Sequence, residues 1–482
     1  MKRGKFLRAL SSGLAASIMA LSLGACAPKS TEQSGGPSGN PSAPEAPKPS
    51  TGVTDTVPVD LPNNQLAYKG KLSFAHFSSA EEERGGSAEA TAMRAVIAEW
   101  KKVHTDVNLD ENVLANNEYK DKIAALGAAN DLPDMFIIQG MNTRQWARQG
   151  LLYDLSQPIA DSPYAADYHL NKLYPFTGDD GAYYALPALA EGTCSVVLYN
   201  KQMWADAGFD KFPDNWDDVI SAAQGYFKDN DKDAIAFGNG SKWQINSTFL
   251  DVIGDRFTGG DWYKSIIEKK GAKFTDPEFV QALEFTKKIF SPETGVFNGD
   301  FNAVTNEDAR EYFLAGDAAA FIGGKWDVSY IRTAAEQSGM IDDIGFALIP
   351  QPEGATKSFN THATGQGYGV AISAKTAEDP DKLAAALDLA YQLTGKPFAV
   401  YLAQNFAETS FTDPGEVDLS KFNQFTQDYY HFYDNTGCEI YDSYLTGAIW
   451  DVMNTGLQEM LNGNKDPQAL AAESQKAYEE SY

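Results

Sequence analysis

The strongest constraint on the fold of this chain is an alternation of short apolar strands with amphipathic helical segments. Residues 71–77 alternate as a strand does, residues 93–103 repeat apolar side chains at helical spacing, and residues 135–138 form another apolar strand. This order predicts a parallel sheet that helices cover on both faces. Ligands of such sheets bind beyond the carboxyl ends of the strands. The loops that follow these strand ends, and that are therefore candidates for ligand binding, lie near Ser78, Asn116 and Gln139.

A similar pattern returns in the second half of the chain, without a tandem repeat. Strands are predicted at residues 196–199, 318–322, 344–349 and 368–372, and a strong helix follows the candidate cap Asp379. One hydrophobic core rarely extends beyond ~250–300 residues. A chain of 482 residues should therefore contain two domains, and its C-terminus should be helical.

The N-terminus predicts export rather than a membrane span. Four basic residues precede an apolar run from Leu14 to Leu23, which is too short to cross a bilayer. The Leu-Gly-Ala-Cys sequence that ends at Cys26 resembles a bacterial lipobox. This resemblance implies a lipoprotein signal peptide at residues 1–25 and a lipid on Cys26, which would anchor the chain at the extracytoplasmic face of the cell membrane. The alternative is a cleaved signal followed by an incidental cysteine.

The segment that follows the candidate signal has the composition of a disordered stalk. Residues 26–67 are rich in Ser, Pro, Gly and Thr and contain few large apolar side chains. Such a segment buries too little surface to offset the entropy cost of ordering. We therefore expect globular structure to begin near Tyr68.

Charge and cysteine content exclude several function classes. The formal net charge of −27 disfavours nucleic acid and anionic ligands, because both are repelled at long range. No Cys and His spacing predicts a zinc site, and no cofactor is predicted. If Cys26 carries lipid, Cys194 and Cys438 either form a disulfide or remain two buried thiols.

Short motifs occur in a fixed order along most of the globular part. They are residues 132–136 (Leu-Pro-Asp-Met-Phe), 150–155 (Gly-Leu-Leu-Tyr-Asp-Leu), 184–187 (Tyr-Ala-Leu-Pro), 199–201 (Tyr-Asn-Lys), 207–216, 313–319 and 323–326 (Gly-Gly-Lys-Trp). Together they resemble the extracellular solute-binding proteins of family 1, the maltose-binding type. Asn215 stands where that family usually has Thr, and Asn can cap the following helix equally well.

This resemblance implies an α/β, two-lobed periplasmic-binding-protein-like fold. Each lobe would be a doubly wound sheet, with three interlobe crossings and a C-terminal helical region. The crossings are expected near residues 192–195, near residues 342–343 and at Gly395, and a strand at 344–350 would return to the first lobe. The expected limits are 68–193 with 343–394 for lobe 1, and 194–342 with 395–482 for lobe 2.

The resemblance also implies a function. The chain would be the membrane-anchored, extracellular solute-binding subunit of an ABC transporter, and would deliver its solute to the permease subunits. It would act as a monomer without a catalytic role. An oligosaccharide is the expected ligand, because sugar rings stack on aromatic faces while their hydroxyl groups bind carboxylates and amides. The chain is rich in both kinds of side chain.

Candidate ligand-binding residues follow from the motifs and from position at strand ends. Trp326 follows two glycines where the family commonly places a sugar-stacking ring, Trp243 lies in a polar loop, and Glu191 lies at a predicted crossing. Strand-end position adds Ser78, Asn117, Gln139, Tyr368 and Tyr444, and more weakly Glu81, Asn142, Gln366 and Tyr441. Packing is favoured for the remaining tryptophans, which are Trp100, Trp146, Trp204, Trp216, Trp262 and Trp450.

Three alternatives remain open at this level. The acidic chain would also suit a cationic or peptide solute, which predicts carboxylates rather than aromatic faces in the site. A secreted glycosidase would need two carboxylates at a set separation, which a sequence does not show. The acidic segment from Asp229 resembles the start of a calcium loop, but Ala234 and Gly240 replace its required Gly and Glu, so a solvated turn is favoured.

Overall fold

The computed structural model describes residues 57–189, 192–365 and 367–481. The candidate signal, Cys26, Glu191 and Gln366 lie outside these residues. Among the described residues, no helix combines the length and the apolar character that crossing a membrane requires.

Within the described residues, the strands form three small sheets. Their orders are β2-β1-β3-β10-β4, β11-β9-β5 and β7-β6-β8. The bounds are β1 Lys71–His76, β2 Asn108–Val113, β3 Met135–Gln139, β4 Leu186–Pro187, β5 Gly192–Thr193, β6 Val196–Asn200, β7 Ala320–Gly323, β8 Ile344–Ala347, β9 Thr361–Gly365, β10 Tyr368–Ile372 and β11 Thr436–Glu439.

Helices cover the sheets and dominate the C-terminal part. The α-helices are α1 Ala80–Arg84, α2 Ala88–Val103, α3 Asn116–Ala128, α4 Gly140–Arg148, α5 Ser156–Asp161, α6 Lys201–Asp206, α7 Trp216–Ala222, α8 Asp251–Thr258, α9 Gly260–Ile267, α10 Pro277–Ile289, α11 Asn306–Leu314, α12 Lys325–Ser338, α13 Pro380–Thr394, α14 Lys396–Phe406, α15 Gln424–Phe432, α16 Gly447–Leu461 and α17 Pro467–Ser481. Two π-helical segments, Ala223–Phe227 and Ile245–Leu250, continue into helical turns on their C-terminal sides.

Lobe 1 is built around the five-stranded sheet. Strand β1 pairs in parallel with both β2 and β3, as the sequence pattern predicts. Strand β10 pairs antiparallel with β3 and β4, which makes the sheet mixed. Most side chains of β1 and β3 are buried, and Trp100 of α2 lies fully buried in the same core. The predicted caps Ser87 and Asp379 accept backbone N–H bonds at the starts of α2 and α13.

Lobe 2 contains a three-stranded sheet and most of the helices. Strand β6 lies in the centre and pairs antiparallel with β7 and with β8. Trp204 is fully buried beneath this sheet, and its indole N–H donates to the carbonyl of Ala319 over 3.2 Å. Asn215 caps α7 through the N–H of Asp218, as expected.

Two segments lie in a different lobe from the one expected. Strand β8 stays in lobe 2, because it pairs with β6 and its Phe346 packs against Phe425 at 4.8 Å. Gly395 separates α13 from α14, and both helices pack on the core of lobe 1, so the chain does not cross there.

The first passage between the lobes lies near residues 192–195, where a crossing is expected, and the other two lie elsewhere. The chain leaves lobe 1 through β5, returns between β9 and β10, and leaves again between Phe411 and Phe425. The exact limits of the lobes stay a prediction, and we propose from this packing that lobe 1 takes residues 57–189 and 367–411.

Cys194 and Cys438, the two cysteines among the described residues, are free thiols on either side of strand β9. The N–H of Cys194 donates to the carbonyl of Ala363 over 2.7 Å, while Cys438 pairs with Ala363 from the other neighbouring strand. Adjacent strands lie ~4.8 Å apart. A separation of two strands therefore exceeds the distance that a disulfide can span.

An N-terminal segment, residues 57–67, lies on lobe 1; we name it the strap. The N–H of Val57 donates to Asn405 over 2.8 Å, and the side-chain amide of Asn64 donates to Asp388 over 2.6 Å. Val59, Leu61 and Leu66 are partly buried against the lobe 1 core. The stalk predicted for residues 26–67 therefore does not include the strap, because these few apolar side chains suffice to dock it.

We expect deletion of residues 57–66 to lower the free energy of unfolding by about 2–4 kcal/mol, because it removes partly buried apolar surface and several hydrogen bonds. Urea unfolding of chains that begin at residue 57 and at residue 67 measures the difference. A chain that begins at residue 27 is the control and should match the chain that begins at 57. Equal stability of all three chains would contradict docking of the strap.

Candidate functional site

A cleft of about 330 Å³ lies between the two lobes. Lobe 1 contributes the carboxyl ends of β1 and β3 and the first residues of α2, α3 and α4. Lobe 2 contributes the start of α12 and residues in and around the π-helical segment Ile245–Leu250. Strands β9 and β10 meet at the cleft through Gly365, Gly367 and Tyr368.

The structure brings six of the eight predicted ligand-binding residues together in this cleft. They are Ser78, Asn117, Gln139, Trp243, Trp326 and Tyr368. Glu191 lies outside the described residues, so its predicted role stays a prediction. Tyr444 does not line the cleft, and is instead held by a hydrogen bond from its hydroxyl to Glu439 over 2.6 Å.

Two tryptophans form an aromatic corner in lobe 2. The rings of Trp243 and Trp326 lie 5.5 Å apart between centroids with an interplanar angle of 66°. A side chain at Gly324 would place its Cβ 2.4 Å from the Trp326 ring, so only glycine fits beside it. An edge-to-face pair leaves one face of each ring available for an apolar surface.

A buried carboxylate fixes the start of the helix that carries Trp326. Asp327 accepts hydrogen bonds from the N–H of Gly324 over 3.2 Å, from Asn306 over 2.8 Å and from Arg310 over 3.2 Å. Burial raises the pKa of Asp327 to about 6, although Arg310 and the hydrogen bonds act in the opposite direction. The position of Trp326 therefore depends on this network.

The lobe 1 wall combines one aromatic pair with amide and hydroxyl groups. The Phe77 and Tyr368 rings lie 5.0 Å apart, and the side-chain amide of Gln139 donates to the Tyr368 hydroxyl over 3.4 Å. Asn117 lies in the first turn of α3, whose N-cap residue Ala115 supplies no side-chain hydrogen bond. Glu82 also lines the cleft, and burial raises its pKa to about 7.

Sequence reasoning missed a carboxylate and a third tryptophan that line the cleft. Asp442 and Trp450 both line the cleft, and Ser247 donates a hydrogen bond to Asp442. Trp450 lies in a C-terminal helix with the pattern of a packing residue, so nothing local distinguishes it. Ser247 lies in a π-helical segment, and such segments are frequent at functional sites.

Other candidates have structural roles or lie away from the cleft. Tyr441 is fully buried and stacks on Tyr263 at 4.6 Å. Trp262 stacks on Phe279 at 4.9 Å and donates to Asp276. Glu81 and Asn142 do not line the cleft. Within the described residues, no group of three or more His, Cys, Asp or Glu side chains is arranged to hold a metal ion.

A family model for bacterial extracellular solute-binding proteins matches residues 85–392 of the chain. The diacetylchitobiose binding protein DasA of Streptomyces coelicolor is 28% identical over 260 residues, which are 54% of this chain. The matched part spans 57% of DasA, a little over half of its length.

Two solved structures share the fold over nearly their whole length. A chitin oligosaccharide binding protein has a TM-score of 0.72 and 18% identity, over 85% of this chain and 98% of that one. A structure from a study of xylan utilisation by Caldanaerobius polysaccharolyticus has a TM-score of 0.71 and 21% identity, over 84% and 99%. These comparisons confirm the predicted two-lobed α/β fold.

We expect Asp327→Ala to lower the free energy of unfolding by about 3 kcal/mol, because it leaves Arg310 buried without its carboxylate partner. Asp327→Asn keeps an acceptor and should lose less stability.

The pKa of Asp327 is about 6 in the folded state against an ordinary 3.8. The stability that protonation of Asp327 contributes is therefore full below pH 3.8 and is lost as the pH rises through 6. Urea unfolding of both variants between pH 4 and 7 tests this, and a loss below 1 kcal/mol in Asp327→Ala would contradict it.

Proposed function

Because the chain belongs to the bacterial extracellular solute-binding proteins, we propose that it captures a short oligosaccharide between its two lobes and delivers it to the permease of an ABC importer. The observation that carries this proposal is the cleft itself. Trp243, Trp326 and Trp450 line it from lobe 2, and amide and hydroxyl groups line it from lobe 1. Aromatic faces suit the C–H faces of sugar rings, and the polar groups suit their hydroxyls.

The named relatives support a choice of sugar class. DasA is described as binding diacetylchitobiose, and one structural relative as binding chitin oligosaccharide. The cleft volume of about 330 Å³ lies near the lower end of the ~300–1,000 Å³ common for small-molecule sites. We propose from this size that the solute is a short oligosaccharide, with N-acetylglucosamine oligomers as its first candidates.

The proposal includes the cellular setting that the N-terminus predicts. Residues 1–25 would direct export, and Cys26 would carry the lipid that holds the chain at the extracytoplasmic face of the cell membrane. The chain would act as a monomer that meets the permease subunits there. No catalytic step is proposed, since the family consists of solute-binding proteins.

A melting-temperature screen tests the ligand class. The chain from residue 27 is heated with N-acetylglucosamine oligomers, other plant and storage oligosaccharides, monosaccharides, peptides and polyamines. A solute at about one hundred times its Kd adds roughly 2.7 kcal/mol of stability, which should shift melting by several degrees. A shift confined to related oligosaccharides is expected. A response to peptides or polyamines alone would overturn the proposal.

We expect Trp326→Ala to weaken binding of the sugar found in this screen by at least about tenfold, or about 1.4 kcal/mol, because the stacking face is lost. Glu191→Ala is expected to have an effect of similar size. Isothermal calorimetry measures both. Tyr444→Phe is the matched control, because it changes an aromatic residue near the lobe boundary that does not line the cleft. Unchanged affinity in both test variants would remove these residues from the site.

A further inference from the structure

One face of helix α12 carries a polar stripe that lies against lobe 1. Lys325, Ser329 and Arg332 are spaced four and three residues apart, so they share one side of the helix. Ser329 and Arg332 are buried, and the Lys325 side chain is only 11% exposed. Long polar side chains are rarely buried in this way unless they have partners.

The partners of this stripe are acidic groups of lobe 1. Lys325 forms an ion pair with Glu89 in the first turn of α2, and Ser329 donates to Glu408 over 3.0 Å. Arg332 lies over the ring of Phe406 at 5.6 Å, and burial lowers the pKa of Arg332 against the raising effect of the nearby Glu408 carboxylate. Two cations of lobe 2 therefore face two carboxylates of lobe 1 across the boundary between the lobes.

The Lys325–Glu89 pair is also part of the binding cleft. Both residues line it, and Lys325 directly precedes Trp326. A Cβ at Gly192 would lie 2.1 Å from the Lys325 side chain, so the lysine also packs on strand β5 where the chain passes between lobes. Burial lowers the pKa of Lys325 to about 8, against the influence of Glu408, so its ammonium group is still charged at neutral pH.

We propose that Glu89 and Lys325 are positioning residues whose ion pair holds the two lobes at the spacing that the cleft requires. The pair joins α2 of lobe 1 to the first residue of the helix that carries Trp326. It therefore stabilises the closed arrangement before any solute enters. Solute then binds to a site whose two walls are already in register, which raises affinity through preorganisation.

This inference deepens the proposed function, but its first test needs no solute. Nitroxide labels on keto amino acids introduced at Lys102 and Lys211, which are exposed residues of the two lobes, leave the native cysteines unmodified. Double electron–electron resonance then gives the distance between the lobes in the chain from residue 27. Glu89→Gln should reduce the ratio of closed to open molecules about tenfold, the size expected for loss of a charged hydrogen bond.

Two further variants separate a specific pair from general damage. Lys325→Arg keeps the charge and should keep the wild-type distance distribution. The double variant Glu89→Gln/Lys325→Met should open no further than Glu89→Gln alone, because one interaction is lost only once. Asp110→Asn is the matched control, since it removes a carboxylate from an exposed ion pair within lobe 1 and should leave the distribution unchanged.

The outcomes distinguish this inference from the choice of solute. A wild-type distance distribution in Glu89→Gln would overturn the positioning role, whatever solute the protein binds. If that variant also bound the sugar found by the melting screen more weakly, direct contact with the sugar would replace positioning as the explanation. A flat melting screen together with an opened Glu89→Gln would overturn the sugar proposal and leave the positioning role intact.

Discussion

The cleft depends on a small sheet in which two passages between the lobes are hydrogen-bonded to each other. Strand β5 carries the chain out of lobe 1, strand β9 leads it back, and the two pair antiparallel through Thr193 and Thr364. Backbone hydrogen bonds of this kind fix the relative position of the two passages more tightly than side-chain contacts would. The two lobes that form the walls of the cleft are therefore joined through this small sheet, and Gly365, at the end of β9, lines the cleft.

Much of lobe 1 and part of the cleft could be predicted, because local sequence determines them. The apolar strand at residues 135–138 and the caps Ser87 and Asp379 act within a few residues, and Trp326 follows a recognisable pair of glycines. What escaped prediction depends on distant partners. Strand β8 is assigned to lobe 2 by its pairing with β6, and Trp450 lines the cleft although its local sequence has the pattern of a packing residue. Tyr444 does not line the cleft, and its hydroxyl donates to Glu439 instead.

The boundary between the lobes buries polar groups of helix α12 against carboxylates of lobe 1. Buried carboxylates and cations rarely add net stability compared with apolar residues of the same size, since their desolvation is costly. An apolar boundary, however, would favour one tightly joined arrangement of the lobes. A boundary of paired charges can separate with less exposure of apolar surface, because each separated group regains water. The polar stripe on α12 would therefore let the lobes separate at a lower cost than an apolar boundary of the same size.

The strap connects the N-terminal segment to lobe 1 and not to lobe 2. Its hydrogen bonds to Asn405 and Asp388 and its apolar contacts all fall on lobe 1. A force applied along the N-terminal segment would therefore act on lobe 1, where the strap is docked, rather than on lobe 2. In a tethered molecule, lobe 1 would stay attached to the tether, and lobe 2 would move relative to lobe 1. Movement of lobe 2 toward or away from lobe 1 would then not displace the tether, and the tether would not oppose that movement.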